Sequence, residues 1–88
     1  MLPVNGEKTM SRIEGVVISA RRTEREGGRT YIIRYRIGKG EHEIRVRENT
    51  DTDVSFYPGN KIEIETHGNT ITITNYIISG RVTGTKVS

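Results

Sequence analysis

The sequence predicts an all-β protein: a small, antiparallel-rich barrel of five strands with little or no helix. Three observations carry this expectation. The 88 residues divide into five stretches in which apolar and polar residues alternate with a period of two, separated by turn-forming clusters. Isoleucine dominates the branched aliphatics, threonine is frequent and alanine occurs once, at Ala20, a composition that suits pleated strands better than helices. No heptad, tandem repeat or low-complexity segment interrupts the pattern. A chain this short buries only about 60–65% of its unfolded surface, so one core is expected. That core is assigned to residues 11–79, with 1–10 a flexible lead and 80–88 a frayed C-terminal tail.

The first strand spans about Arg12 to Thr23, with a bulge expected at Gly15, where the alternation slips. "EREGGR" follows as a hairpin loop. The second strand covers Thr30 to Ile37 and the third His42 to Arg47. "ENTDTDVSFYPGN" is a longer connection without helical periodicity, and Pro58 leaves room in it for one helical turn at most. Lys61 to Thr66 and Thr70 to Ile78 then form a last hairpin around "HG".

Residues facing each other across a hairpin point to the same side of the sheet, so turn position implies register. A Lys39-Gly40 turn pairs Tyr35 with Ile44 and Ile33 with Val46 on an aliphatic core face. On the other face it sets Arg36 beside Glu43, Arg34 beside Arg45 and Ile32 beside Arg47. A Gly27-Gly28 turn extends the logic to the first strand, placing Arg21 beside Arg34, so that Arg21, Arg34 and Arg45 form a row across three strands. In the last hairpin, a His67-Gly68 turn pairs Ile64 with Ile71 and Ile62 with Ile73 inside. It leaves Lys61, Glu63 and Glu65 opposite threonines outside.

Net charge is only +3, yet eight of the fourteen basic residues are arginines between Arg21 and Arg47. Like charges directly opposite on neighbouring strands cost roughly 0.2–1 kcal/mol, and an anionic partner would remove that cost. The alternative is that long side chains splay into water and keep the face soluble, with Glu43 neutralising one of them.

Five short strands, a long curved first strand and a final hairpin introduced by "YPGNKIEIE" and continued by "NTITITNYII" resemble the oligonucleotide/oligosaccharide-binding (OB) fold. The likeness is to its single-stranded nucleic-acid-binding type and covers about Arg12 to Ile78. In such domains ligand lies across strands two and three, flanked by the loops between strands one and two and between four and five. The resemblance therefore implies binding by Arg34 and Arg36 on strand two and by Arg45 and Arg47 on strand three, with Arg21 beside them and Arg25 and Arg29 in the first loop. Tyr76, outward on strand five beside strand three, is a further contact. Two features depart from the family pattern. No helix fits between strands three and four, and Tyr31 and Tyr35 fall on the core face instead of forming a stacking platform.

Other chemistry is not encoded. With no cysteine there is neither a disulfide framework nor a thiolate metal site, which fits a reducing compartment. His42 and His67 sit in or beside turns with no acid arranged around them as a triad. "NTDTD" begins like a calcium loop, but Val54 and Asn60 stand where that loop needs glycine and glutamate. Neither "EGGRT" nor "GKGE" opens a helix as a phosphate-binding loop must. No enzyme, catalytic residue, metal or cofactor is expected. The start is too polar for a signal peptide and no run approaches the roughly 18 apolar residues that span a bilayer. A soluble, cytoplasmic protein that binds single-stranded or structured DNA or RNA with low sequence specificity, away from membranes, is the expectation. The rival is a small-barrel protein–protein interaction module, favoured by the apolar positions Val17, Ile32 and Ile78, which this reading turns outward.

Overall fold

The computed structural model describes residues 10–25, 28–49 and 54–87, without the side chains of Met10 and Arg25. Six strands form: β1 (Met10–Arg25), β2 (Gly28–Ile37), β3 (Gly40–Glu48), β4 (Lys61–His67), β5 (Thr70–Asn75) and β6 (Gly80–Lys86). They close into a barrel in the order β1-β2-β3-β6-β5-β4, with every neighbouring pair antiparallel. The all-β architecture is as expected, with six strands in place of five. No helix occurs among the described residues, so none is long and apolar enough to cross a membrane.

The extra strand comes from the segment read as a frayed tail. Its alternation is hard to see because only Val82 supplies an inward aliphatic side chain, while Gly84 occupies the next inward position. A side chain is impossible there without rearrangement: a Cβ on Gly84 would overlap the Arg47 carbonyl oxygen and stand 2.8 Å from Val46 Cγ1. β6 thus lies tight against β3 and separates it from β5. A closed antiparallel barrel is compatible with an OB-like fold, but the direct β3–β5 neighbourhood expected from that fold is replaced by β3–β6–β5.

The core is formed by the inward residues of the strands, with Ile33, Val46, Ile62, Ile71, Ile73 and Val82 completely buried. Both hairpin faces are as the alternation implies, but partners are displaced by two. The turns are Gly38-Lys39 and Gly68-Asn69, so Ile37 pairs with Gly40 and His67 with Thr70. Gly38 and Gly68 have φ of 58° and 66°, whereas neither Lys39 nor Asn69 has a positive φ. Glycine first with an ordinary residue second is the signature of a type II′ turn, whose twist suits a two-residue hairpin. Moving a turn by one residue shifts every partner by two, which leaves each side chain on its face.

β1 corrects two further expectations. Its irregularity lies at Ile18, between the Val17↔Tyr35 and Ser19↔Arg34 pairs, while Gly15 pairs in register with Ile62. Gly15 marks a close approach, since a Cβ there would meet Tyr35 Cδ2 at 3.0 Å and the Arg36 carbonyl oxygen at 3.1 Å. Because the bulge falls after Val17 instead of before it, Val17 turns inward and is buried, contrary to its expected outward position.

Val54 and Phe56, from the connection after β3, complete the core; Phe56 packs edge-on against Tyr31 with ring centroids 5.8 Å apart. Asn75 holds this connection in place. It is fully buried, and its amide nitrogen donates to the Ser55 carbonyl (2.9 Å) and to Asn60 Oδ1 (3.0 Å). Its Oδ1 accepts from the Ile77 and Ile78 amides at 3.0 and 3.4 Å. A buried amide with both ends satisfied fixes two loops at once.

Candidate nucleic-acid interface

The outward residues of β1, β2 and β3 form rows across three strands. From the Gly38-Lys39 turn outward the rows read Val16–Arg36–Glu41, Ser19–Arg34–Glu43, Arg21–Ile32–Arg45 and Thr23–Thr30–Arg47. The expected Arg21–Arg34–Arg45 row is therefore not formed. The type II′ turn sets Arg34 opposite Glu43 and Arg36 opposite Glu41, so the proposed like-charge repulsion between Arg34 and Arg45 is replaced by alternating signs. Arg34 and Arg36 both donate to Glu41, at 3.0 and 3.1 Å, and Arg45 donates to Glu43 at 3.0 Å.

These pairs leave the guanidinium groups accessible, with about half of each of the Arg34, Arg36 and Arg45 side chains in solvent. Exposed ion pairs of this kind are worth about 0–1 kcal/mol, so exchange of carboxylate for another anion costs little. Five arginines face two glutamates here, and both acids lie in the two rows nearest the turn. Arg21 and Arg47 are exposed in the rows beyond, and Arg21 has no hydrogen-bond or ion-pair partner among the described residues.

Two other expected site residues are placed differently. Arg29 lies within β2 and faces inward at the end of the barrel, where it bridges Glu24 (3.1 Å) and Glu48 (3.3 Å). A hydrogen bond to the Tyr31 side chain, followed by the charges of Glu48 and Glu24, raises its pKa despite an opposing effect of burial. The Glu48 side chain is only 3% exposed, so Arg29 acts first as its counterion. The backbone of Arg25 ends β1 opposite Gly28, and its side chain lies outside the described residues, as do Asp51 and Asp53 of "NTDTD".

Comparison of the chain with protein-family models, with curated proteins and with solved structures finds no match. The site is therefore defined by its own geometry.

Tyr76 belongs to the turn after β5, not to the strand, and its hydroxyl donates to Glu63. That hydrogen bond, with lesser contributions from burial and from the Glu63 and Glu14 charges, raises its pKa. Tyr76 lines a groove of about 410 Å³ together with Val16, Arg36, Ile37 and Lys61, on the flank of the arginine surface. The sequence reading missed Tyr57, which stands exposed in the connection before β4, and Arg22, which shares a second cavity with it and with Arg21. An aromatic residue directly before Pro-Gly was the available signal, because Pro followed by Gly marks a turn. Among the described residues no group of three histidine, aspartate or glutamate side chains is arranged to hold a metal ion.

Proposed function

We propose that the protein binds single-stranded or structured nucleic acid through phosphate contacts from Arg21, Arg34, Arg36, Arg45 and Arg47, with little sequence preference. The observation that carries this reading is the three-strand surface on which five exposed arginines outnumber two glutamates. Guanidinium suits the task, because its planar fork matches phosphate oxygens in pairs and it stays charged at any ordinary pH. Phosphate contacts position a strand without reading its bases, hence the low specificity.

The test is fluorescence anisotropy with labelled single-stranded and duplex oligonucleotides across a salt series. Each single-strand phosphate contact contributes about −0.7 to the slope of log affinity against log salt, so five contacts give about −3.5 and a loss of about three-thousandfold per tenfold rise in salt. Absence of binding at about 20 mM salt, where screening is weak, would overturn the reading. It would also favour a second reading, a small-barrel module that packs against a protein. That alternative draws on the exposed Ile77 and Ile78, 63% and 42% accessible, beside the Tyr76 groove.

A further inference from the structure

A second concavity, of about 200 Å³, opens where the connection before β4 passes the second half of β1. Ala20, Val54 and Phe56 supply its apolar lining, and Arg21, Arg22 and Tyr57 border it as well. Tyr57 is 58% exposed, yet its backbone is firmly held. Its amide donates to Asn60 Oδ1 at 3.0 Å and its carbonyl accepts from the Asn60 amide at 3.0 Å. Asn60 Oδ1 is held in turn by the buried Asn75. An exposed aromatic ring on so constrained a backbone is preorganised: ordering it again on binding costs little, because only its two side-chain torsions remain to be fixed.

Arg21 joins this cavity to the outward surface. It begins the Arg21–Ile32–Arg45 row and also lines the cavity with Tyr57, so the arginine surface and the cavity meet at this residue. A planar ring with an anionic tether meets an apolar wall, an aromatic face and a cation, the three components that single-strand binding sites combine. A base already paired and stacked within a duplex cannot enter.

We propose that this cavity takes one unpaired nucleobase, stacked on Tyr57, from a strand whose phosphates lie on the arginine surface. The inference rests on the nucleic-acid reading and makes it specific for single strands.

The deciding comparison is between an oligothymidylate and an abasic strand of equal length, which carry the same phosphates and differ only in bases. The parent protein should bind the oligothymidylate about tenfold more tightly or better, the usual effect of one stacked base. Tyr57→Ala and Tyr57→Leu should bring the two affinities together while leaving the abasic affinity and its salt slope unchanged, with circular dichroism confirming that each variant is folded. Tyr57→Phe should keep the preference. Equal affinity of the parent for both strands would overturn the base cavity and leave the phosphate surface intact. Loss of affinity for both strands on Tyr57→Leu would overturn it as well. If neither strand binds the parent, both proposals fail together.

Discussion

Closure of the barrel depends on a glycine, and Gly84→Ala is the substitution that tests it. The added methyl overlaps the Arg47 carbonyl oxygen and comes within 2.8 Å of Val46 Cγ1, a fully buried atom neighbourhood that cannot give way as a flexible surface side chain would. β6 must therefore move off β3. The contact is short: three residue pairs, bracketed by the Asn49 amide on the Thr83 carbonyl (3.0 Å) and the Val87 amide on the Arg45 carbonyl (2.9 Å). Two hydrogen bonds lost at about 1 kcal/mol each, with about 1–3 kcal/mol for overpacking against Val46, give a destabilisation of about 3–5 kcal/mol. An 88-residue domain has about 4–13 kcal/mol in all. At about 5 °C per kcal/mol the melting temperature should fall by about 15–25 °C in a circular dichroism melt. Gly38→Ala is the control, because nothing lies within 4 Å of a Cβ there and only its φ of 58° is unfavourable, which costs about 1–3 kcal/mol. If Gly84→Ala melts within about 5 °C of the parent, β6 does not lie against β3 as described and the barrel is open at that seam.

Further outcomes rest on the same geometry. Asn75→Ala leaves the Ser55 carbonyl and the Ile77 amide without their buried partner; it should cost about 2–4 kcal/mol in a denaturant titration, and a change below about 0.5 kcal/mol would contradict the hub role. Replacing Glu41 and Glu43 together by glutamine removes the carboxylates that hold Arg34, Arg36 and Arg45, so oligonucleotide affinity should rise and the salt slope steepen, while stability changes by about 1 kcal/mol or less. Arg34→Ala should do the reverse, lowering the slope by about 0.7 with folding intact. Burial raises the pKa of Tyr35, and the Glu63 hydrogen bond raises that of Tyr76, so both should ionise above about pH 10 in an ultraviolet titration. A folded pKa above the unfolded one favours the native state fully below about pH 10, and the contribution disappears as pH rises through the raised value. Tyr76→Phe should remove one late-ionising group, and an unchanged titration would refute the assignment.

Most of the fold was legible in the sequence because side-chain direction has a period of two. Ile33, Tyr35, Val46, Ile62, Ile64, Ile71 and Ile73 are all assigned inward by alternation, and all are buried. Partner identity carries no such redundancy. "IGKG" offers two adjacent turn placements, Gly38-Lys39 and Lys39-Gly40, that preserve the faces and differ only in which residues meet. Choosing between them requires asking which glycine must take a positive φ, and only a first-position glycine fits a II′ turn. β6 was obscured for a related reason: the close approach to β3 forces glycine into a position where an aliphatic residue would have advertised a strand. At Ile18 a bulge is accommodated by a β-branched residue, so the glycine at position 15 drew attention to the wrong place.

The same two-residue displacement changes the physical basis of the proposed site. A row of opposed arginines would be a strained surface awaiting an anion, and binding would relieve repulsion. The observed rows instead alternate sign near the Gly38-Lys39 turn and become purely basic or neutral toward Arg21, Arg45 and Arg47. Under the proposed function, binding beside that turn is an exchange: phosphate displaces Glu41 or Glu43 from guanidinium groups that are already positioned, at small cost because the displaced carboxylates return to water. The acids at one end also make the potential uneven, so a polyanion is drawn toward the far rows, where Arg21 borders the Tyr57 cavity. Under the proposed function, Glu41 and Glu43 thus limit affinity and favour placement of the strand at the end of the sheet where a base can be stacked.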